Sequence, residues 1–572
     1  MLAAHWQVAN GRHTMATSED HSNPPLKDYQ QVRARLLALD EIAFLDVREE
    51  APHAEGHPLF AANFPLSRLE LLACAKLPRR DVPIVTIDSG EGLAEAAARR
   101  LKTMGYTDVA VFKGGIAGWK AAGGELFIDV NVPSKAFGEL VESVCHTPSM
   151  PAEEVKALID SGEDCIVVDA RRLDEYRTMT IPGSISVPGA ELALRLPEML
   201  GNANTKVIVH CAGRTRSLVG TQSLINFGLP NEVCALRNGT IGWTLARQKL
   251  ELGQSRRYPE GGGAAVAAST QKARAVADRA GVKRATRDDV SRWSGQEGRT
   301  TYFFDVRSPE EYERGHVPGF LPIAGGQLVQ ELEMYAPVRG ARIVLCDAEG
   351  VRANMTASWL GQMAWEVFVL DGLNAADFTE SGVPGPKLPA VPRYKGVNAA
   401  TLATWLAGDG GTVVIDVARH AVFRAGHIPG AWFVIRSLLA DSVANLPAAD
   451  RYVVTCPDAT LAQFVAPELA AKVGGDVYML EGGNRAWVAA GHPLEAGETR
   501  LASPPIDRYR RPYEGTDVPD SAMQAYLDWE FGLVAQLERD GTHHFKPMVM
   551  TSAQAPTDVP RHAIRRSSTP GV

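Results

Sequence analysis

Seven cysteines in 572 residues, at positions 74, 145, 165, 211, 234, 346 and 456, are too thinly spread to staple a fold. They form no Cys-x-x-Cys and no Cys/His spacing suited to zinc, so free thiols in a reducing compartment are expected, with no metal. The chain also lacks any run near the roughly 18 apolar residues that span a bilayer. Its opening, MLAAHWQVANGRHTMATSED, has neither the basic start nor the long apolar stretch of a secretory signal. A basic excess is missing too: the formal charge is −8, which speaks against general binding to nucleic acid or an anionic membrane. The expectations are a cytoplasmic location, no membrane and no nucleic acid.

What is present is repetition. With 45% hydrophobic and 22% charged residues the composition is globular, and the length predicts roughly three to five domains. Four segments run from an apolar strand into an aspartate: AFLDVREE at Asp46, IVVDARRL at Asp169, FFDVRSPEEY at Asp305 and VVIDVARHAVF at Asp416. Three continue into a Pro-Gly turn, TIPGSISVPG, GHVPGFLPI and GHIPGAWFV; the first keeps only EGHPLFAANFPLSRLE, with His57 in the place of His316 and His427. A short helical pattern opens each unit, and in the third Thr286 and Asp289 resemble a capping box. Continuous apolar strands alternating with helices predict α/β units, each a mostly parallel sheet with helices on both faces.

The spacing fixes the register. From each aspartate to the loop after the second strand there are 42, 42, 42 and 40 residues, ending at Asp88, Cys211, Asp347 and Cys456. A glycine precedes a tryptophan by four positions at Trp119, Trp243 and Trp487, whereas the third unit offers DGLNAADF. The units fall at 25–128, 146–256, 280–387 and 394–498. YPEGGGAAVAASTQKARAVADRAG, between the second and third, reads as a linker running into a helix. The tail, 499–572, holds one amphipathic helix ended by Gly541, expected to pack on a domain rather than form a site.

One of the four loops carries a distinctive chemistry. In VIVHCAGRTRSLVG, Cys211 ends a strand and SLVGTQSLINFG reads as a helix. A thiol at such a turn lies outside the carboxyl ends of the strands, facing free N–H groups and the positive end of a helix dipole, which favours the thiolate and an anion beside it. Arg214 and Arg216 add full charges suited to a tetrahedral oxyanion such as thiosulfate. A cysteine after a strand ordinarily packs as a small hydrophobe, the reading kept for Cys165 and Cys234; here two cations, a helix onset and the repeat favour chemistry.

The D-V-R…G-H-x-P-G signature of the third and fourth units, the CAGRTRS loop and the NGTIGW closure together resemble the rhodanese family of sulfurtransferases, over about 25–498. The resemblance implies a sulfurtransferase in which Cys211 becomes a persulfide by taking sulfane sulfur from thiosulfate and passes it to a thiol or to cyanide. It implies a loop-closing role for Arg216, an added substrate cation in Arg214, and a donor cradle completed by Gly213, Thr215 and Ser217. Asp169 and Arg171 read as loop supports. No cofactor is implied; a sulfur-accepting protein is a further expected partner.

Two other classes stay open. Dual-specificity phosphatases and arsenate reductases share this fold, but the phosphatase loop separates cysteine and arginine by five residues where Cys211 and Arg216 are separated by four. The chain could also act as a non-catalytic sulfur-carrier binding or regulatory protein. The remaining units read as inactive. Asp88 and Asp347 stand where a thiol should be, with Cys346 displaced into the strand and Arg352 in the register of Arg216. Cys456 has no arginine near it, and Pro457 removes an amide from its loop. His316 and His427 read as structural, and His543 and His544 as surface.

Overall fold

The computed structural model describes residues 23–259, 266–391, 393–408 and 410–549. Four α/β units follow one another, each built on the same strand order. In the second, Ser149–Met150, Val233–Leu236, Lys206–His210, Cys165–Asp169 and Ile185–Ser186 lie side by side in that order. All four neighbouring pairs are parallel. Val207, Ile208 and Val209 are fully buried, as a strand covered on both faces requires. The helices Ala152–Ser161, Leu173–Thr178, Leu192–Met199, Thr215–Phe227 and Gly239–Leu245 supply the cover.

Local signals act where the sequence places them. Thr286 caps its helix by accepting from Asp289 N at 3.2 Å, and Asp289 returns the bond by accepting from Thr286 N at 2.9 Å. The three closing tryptophans make one bond in common: the indole N–H donates to the carbonyl six residues on, at Glu125 (3.0 Å), Lys249 (2.9 Å) and Pro493 (2.9 Å). The third unit replaces that closure with a short 3-10 turn, Ala375–Asp377, capped by Asn374.

The units are joined as well as repeated. Val338–Arg339 of the third pairs antiparallel with Ala43 and Ile42 at the edge of the first sheet, and one hydrophobic core runs through both. Arg436 of the fourth makes a bidentate pair with Glu70 of the first, at 2.6 and 2.8 Å. A helix after the first unit, Val132–Cys145, lies along Thr215–Phe227. The contact is close enough that a Cβ on Gly138 would stand 3.2 Å from the Thr215 Cα.

The tail differs from the single helix expected. Among the described residues it forms two, Asp520–Phe531 and Leu533–Asp540, because Gly532 tightens the turn, its N–H donating three residues back to Trp529 O at 3.0 Å. The second helix buries Leu533 and Leu537 in the core shared by the first and third units. The first buries Met523, Tyr526 and Leu527 against Ile241 of the second unit.

Candidate active site

Cys211 follows the strand Lys206–His210 and is 2% exposed. The turn that holds it is fixed from the closing helix: Thr240 N and Ile241 N donate to Cys211 O (2.9 Å) and Ala212 O (3.0 Å). That approach requires glycine at 239, where φ is +53° and a Cβ would stand 2.3 Å from Cys211 O. Helix Thr215–Phe227 begins directly after Arg214, so its free amides open toward the thiol loop. The Ser217 hydroxyl lies 3.5 Å from Cys211 Sγ and donates to Arg214 O at 2.8 Å.

The two arginines have different surroundings. Arg216 is held by Glu175 through two bonds of 2.6 and 2.8 Å; burial works against its charge, but Glu175 holds its pKa above the ordinary arginine range. Arg214, 4% exposed, is turned to the helix Val132–Cys145. It donates to both Glu139 oxygens at 2.8 and 2.9 Å, to Glu142, and to Asn238 Oδ1 at 3.1 Å, with its guanidinium 4.3 Å from the centre of the Phe531 ring.

Asp169 and Arg171 brace the strand end beneath. Arg171 donates from its backbone and Nε, both at 3.0 Å, and from Nη2 at 2.7 Å; despite burial, this holds the Asp169 carboxyl below the usual range. His210 Nε2 stands 3.6 Å from the same carboxylate, yet burial lowers that imidazole to about 4 and keeps it neutral near pH 7. Arg171, Arg216 and Glu175 face an open cleft of about 740 Å³ that Arg511 and Tyr513 of the tail close from the other side. Among the described residues no group of three or more His, Cys, Asp or Glu side chains is arranged to hold a metal.

The other loops fill themselves. Asp88 accepts from Gly90 N and Ala94 N at 3.0 and 3.1 Å. Asp347 accepts from Gly350 N and Arg352 N at 3.0 and 2.9 Å, and burial together with Glu349 pushes it up to about 7. Arg352 is enclosed by Glu191, Glu311 and Glu349. Cys346 is buried among apolar side chains and Cys456 is likewise buried, which raises the pKa of both thiols.

Sequence reasoning did not find Glu175, Glu139, Glu142, Asn238 or the tail residues around the loop. Glu175 left a signal: it follows Asp169 by the same interval as Glu311 follows Asp305, and each pairs with its loop arginine. The tail left none; its first helix packs on the second unit and reaches the loop at Gly213, where a Cβ would lie 3.2 Å from Tyr526 Cε1 and 3.4 Å from Glu530 Oε2.

The sequence profile of the rhodanese-like domain matches this chain at residues 28–122, 151–246, 286–373 and 398–490. The crystal structure of a thiosulfate sulfurtransferase from Pseudomonas aeruginosa superimposes with a TM-score of 0.90 at 58% identity, covering 92% of this chain and 100% of that one. The thiosulfate sulfurtransferase GlpE of Pseudomonas putida is 32% identical over 88 residues, 15% of this chain and 79% of GlpE. YrkF of Bacillus subtilis is 27% identical over 103 residues, and the chain spans about half, 54%, of its length.

Proposed function

This chain belongs to the rhodanese-like domain family, and from that premise we propose that it is a thiosulfate sulfurtransferase whose second domain carries the transferred sulfur on Cys211. The observation that carries the reading is the second loop itself, where a thiol stands at the strand end, at a helix N-terminus, with Arg216 held beside it by Glu175. The Pseudomonas aeruginosa protein, similar along nearly the whole chain, supports thiosulfate as the donor.

The chemistry runs in two steps. The Cys211 thiolate attacks the outer sulfur of thiosulfate; a new S–S bond forms, the S–S bond of thiosulfate breaks, and sulfite leaves with the electron pair. The persulfide then gives its outer sulfur to a small-molecule acceptor, a thiol or cyanide, and cyanide leaves as thiocyanate with the thiolate restored. Arg216 and the amides of Gly213 to Ser217 hold the sulfonate end, where preorganised donors meet the charge released with sulfite. Arg214, its guanidinium engaged by Glu139 and Glu142, acts in this reading as an anchor for the loop instead of the donor-binding cation expected of it. Asp169 and Arg171 keep the strand end in place. The first, third and fourth domains are inactive: two put a carboxylate where the thiol belongs, and the last surrounds its thiol with no arginine in the loop.

The test is intact-mass spectrometry after thiosulfate, with and without later cyanide, on the full chain and on Cys211→Ser. One added sulfur that cyanide removes and the variant lacks is the expected result. The same gain in the variant, or none in the wild type, would overturn the assignment and favour a phosphatase or a non-catalytic binding role.

A further inference from the structure

Three cations without ion-pair partners meet between the first and fourth domains. Arg68 ends the 3-10 turn Leu66–Arg68 of the first domain, and Lys76 ends the helix Leu69–Lys76 that follows. Arg419 precedes the helix His420–Ala425 of the fourth. All three line one cavity of about 50 Å³. Among the described residues none of them makes a side-chain hydrogen bond or an ion pair, and none of the nitrogens of Arg68 or Lys76 is sealed away. Arg419 is exposed and stands at the mouth. The one other contact is made by Lys76, whose ammonium is 5.6 Å from the centre of the Tyr335 ring.

The other charges lining this cavity are engaged elsewhere. Glu49 Oε1 accepts from the Ser437 hydroxyl at 2.6 Å, and burial raises its carboxyl pKa, which disfavours its charge. Glu50 Oε1 accepts from Tyr509 N at 3.2 Å and stands 3.8 Å from Arg511 Nη2. Asp507 Oδ2 accepts from His420 N at 2.8 Å. Arg436 is paired with Glu70 and Glu468. The crowding of like charge registers on the cations left over. Burial and Arg419 hold Arg68 below the ordinary arginine range, and burial, Arg419 and Arg68 bring Lys76 down to about 8 against the pull of Glu331.

We propose that Arg68, Lys76 and Arg419 form a binding site for one small inorganic dianion, of the tetrahedral class of phosphate and sulfate, that clips the first domain to the fourth. The size of the cavity sets the class. One water needs about 10 to 15 Å³ of such space, so the cavity accepts about four oxygen-sized atoms, as many as a tetrahedral oxyanion presents. Two guanidinium forks and an ammonium match its oxygens. The ion relieves a repulsion that the folded chain otherwise bears, so its binding stabilises the fold by mass action. The site is separate from the Cys211 loop and does not depend on how that loop is read.

The experiment is calorimetric titration of phosphate, and separately of sulfate, into the full chain at fixed ionic strength in chloride, with Arg68→Gln and Arg419→Gln beside the wild type. Each substitution should weaken the Kd about 10- to 100-fold, the loss of one charge-assisted contact, while sulfur transfer stays unaltered. Binding that belongs to the Cys211 loop survives both substitutions and is told apart in that way. Melting in chloride alone gives a second readout: Arg68→Gln removes a repelling charge and should have a Tm no lower than wild type. In phosphate the wild type should gain Tm and both variants should gain less. An equal gain in all three is general stabilisation by an excluded salt and overturns the proposal. So does a Kd shared by all three proteins, absence of binding to the wild type, or a lower Tm of Arg68→Gln in chloride, which would mark that arginine as structural.

Discussion

The second and third domains place their loops on the same register and use the same cradle in opposite ways. In the third, the Asp347 carboxylate accepts from Gly350 N and Arg352 N, and Arg352 is enclosed by Glu191, Glu311 and Glu349. In the second, a thiol replaces that carboxylate, and Arg216 faces one carboxylate, Glu175, beside an open cleft. The difference teaches that a helix N-terminus after a strand is an anion site in either case. Aspartate satisfies it from within the chain and makes a structural cap; cysteine supplies no such carboxylate.

The largest way to break that comparison is to copy the third loop into the second. Cys211→Asp should lower thiosulfate:cyanide transfer by about 1,000-fold or more, because a carboxylate carries no sulfane sulfur and fills the cradle; residual turnover within tenfold of wild type would place the chemistry elsewhere. Arg216→Lys sharpens it. Losing the planar fork that Glu175 holds should cost about 10- to 100-fold in kcat/KM for thiosulfate, while an unchanged value would remove Arg216 from donor binding.

A smaller effect is expected on the structural side. Asp88→Ala strips an acceptor from Gly90 N and Ala94 N and should cost about 1 to 2 kcal/mol, seen as an earlier calorimetric transition, with sulfur transfer unaltered. The smallest concerns Glu530. Its carboxyl is raised on folding from 4.5 to about 8, so the folded state favours the proton. The stability this gives is complete below 4.5, is lost as pH climbs from 4.5 to 8, and stays lost above. Glu530→Gln should therefore have a higher Tm than wild type at pH 9 and a narrowing margin toward pH 5; a margin independent of pH would mean that Glu530 does not titrate in the fold.

Much of this was legible in the chain. Strands such as KVIVH and ARIVLC are continuous apolar runs because both sheet faces are covered, and Thr286 and Asp289 cap a helix through groups three residues apart. The Cys211 loop could be read because its helix onset and cations are local. Arg214 could not be assigned that way: its carboxylate Glu139 lies 75 residues away in the chain, and a charge looks free in a sequence until a distant partner is brought against it. Gly213 faces Tyr526 and Glu530 for the same reason, through a tail with no repeat to align.

The sequence by itself determined the four repeated units, their parallel sheets and the loop in which a thiol replaces a carboxylate, since these follow from periodicity and from contacts between near neighbours. The tertiary structure alone decided which arginine faces the cleft, that the tail breaks at Gly532 to serve two different domains, and that a buried carboxyl packs on Gly213 of the Cys211 loop. Those outcomes depend on burial and on charges paired across long stretches of chain, and both arise only when the domains pack.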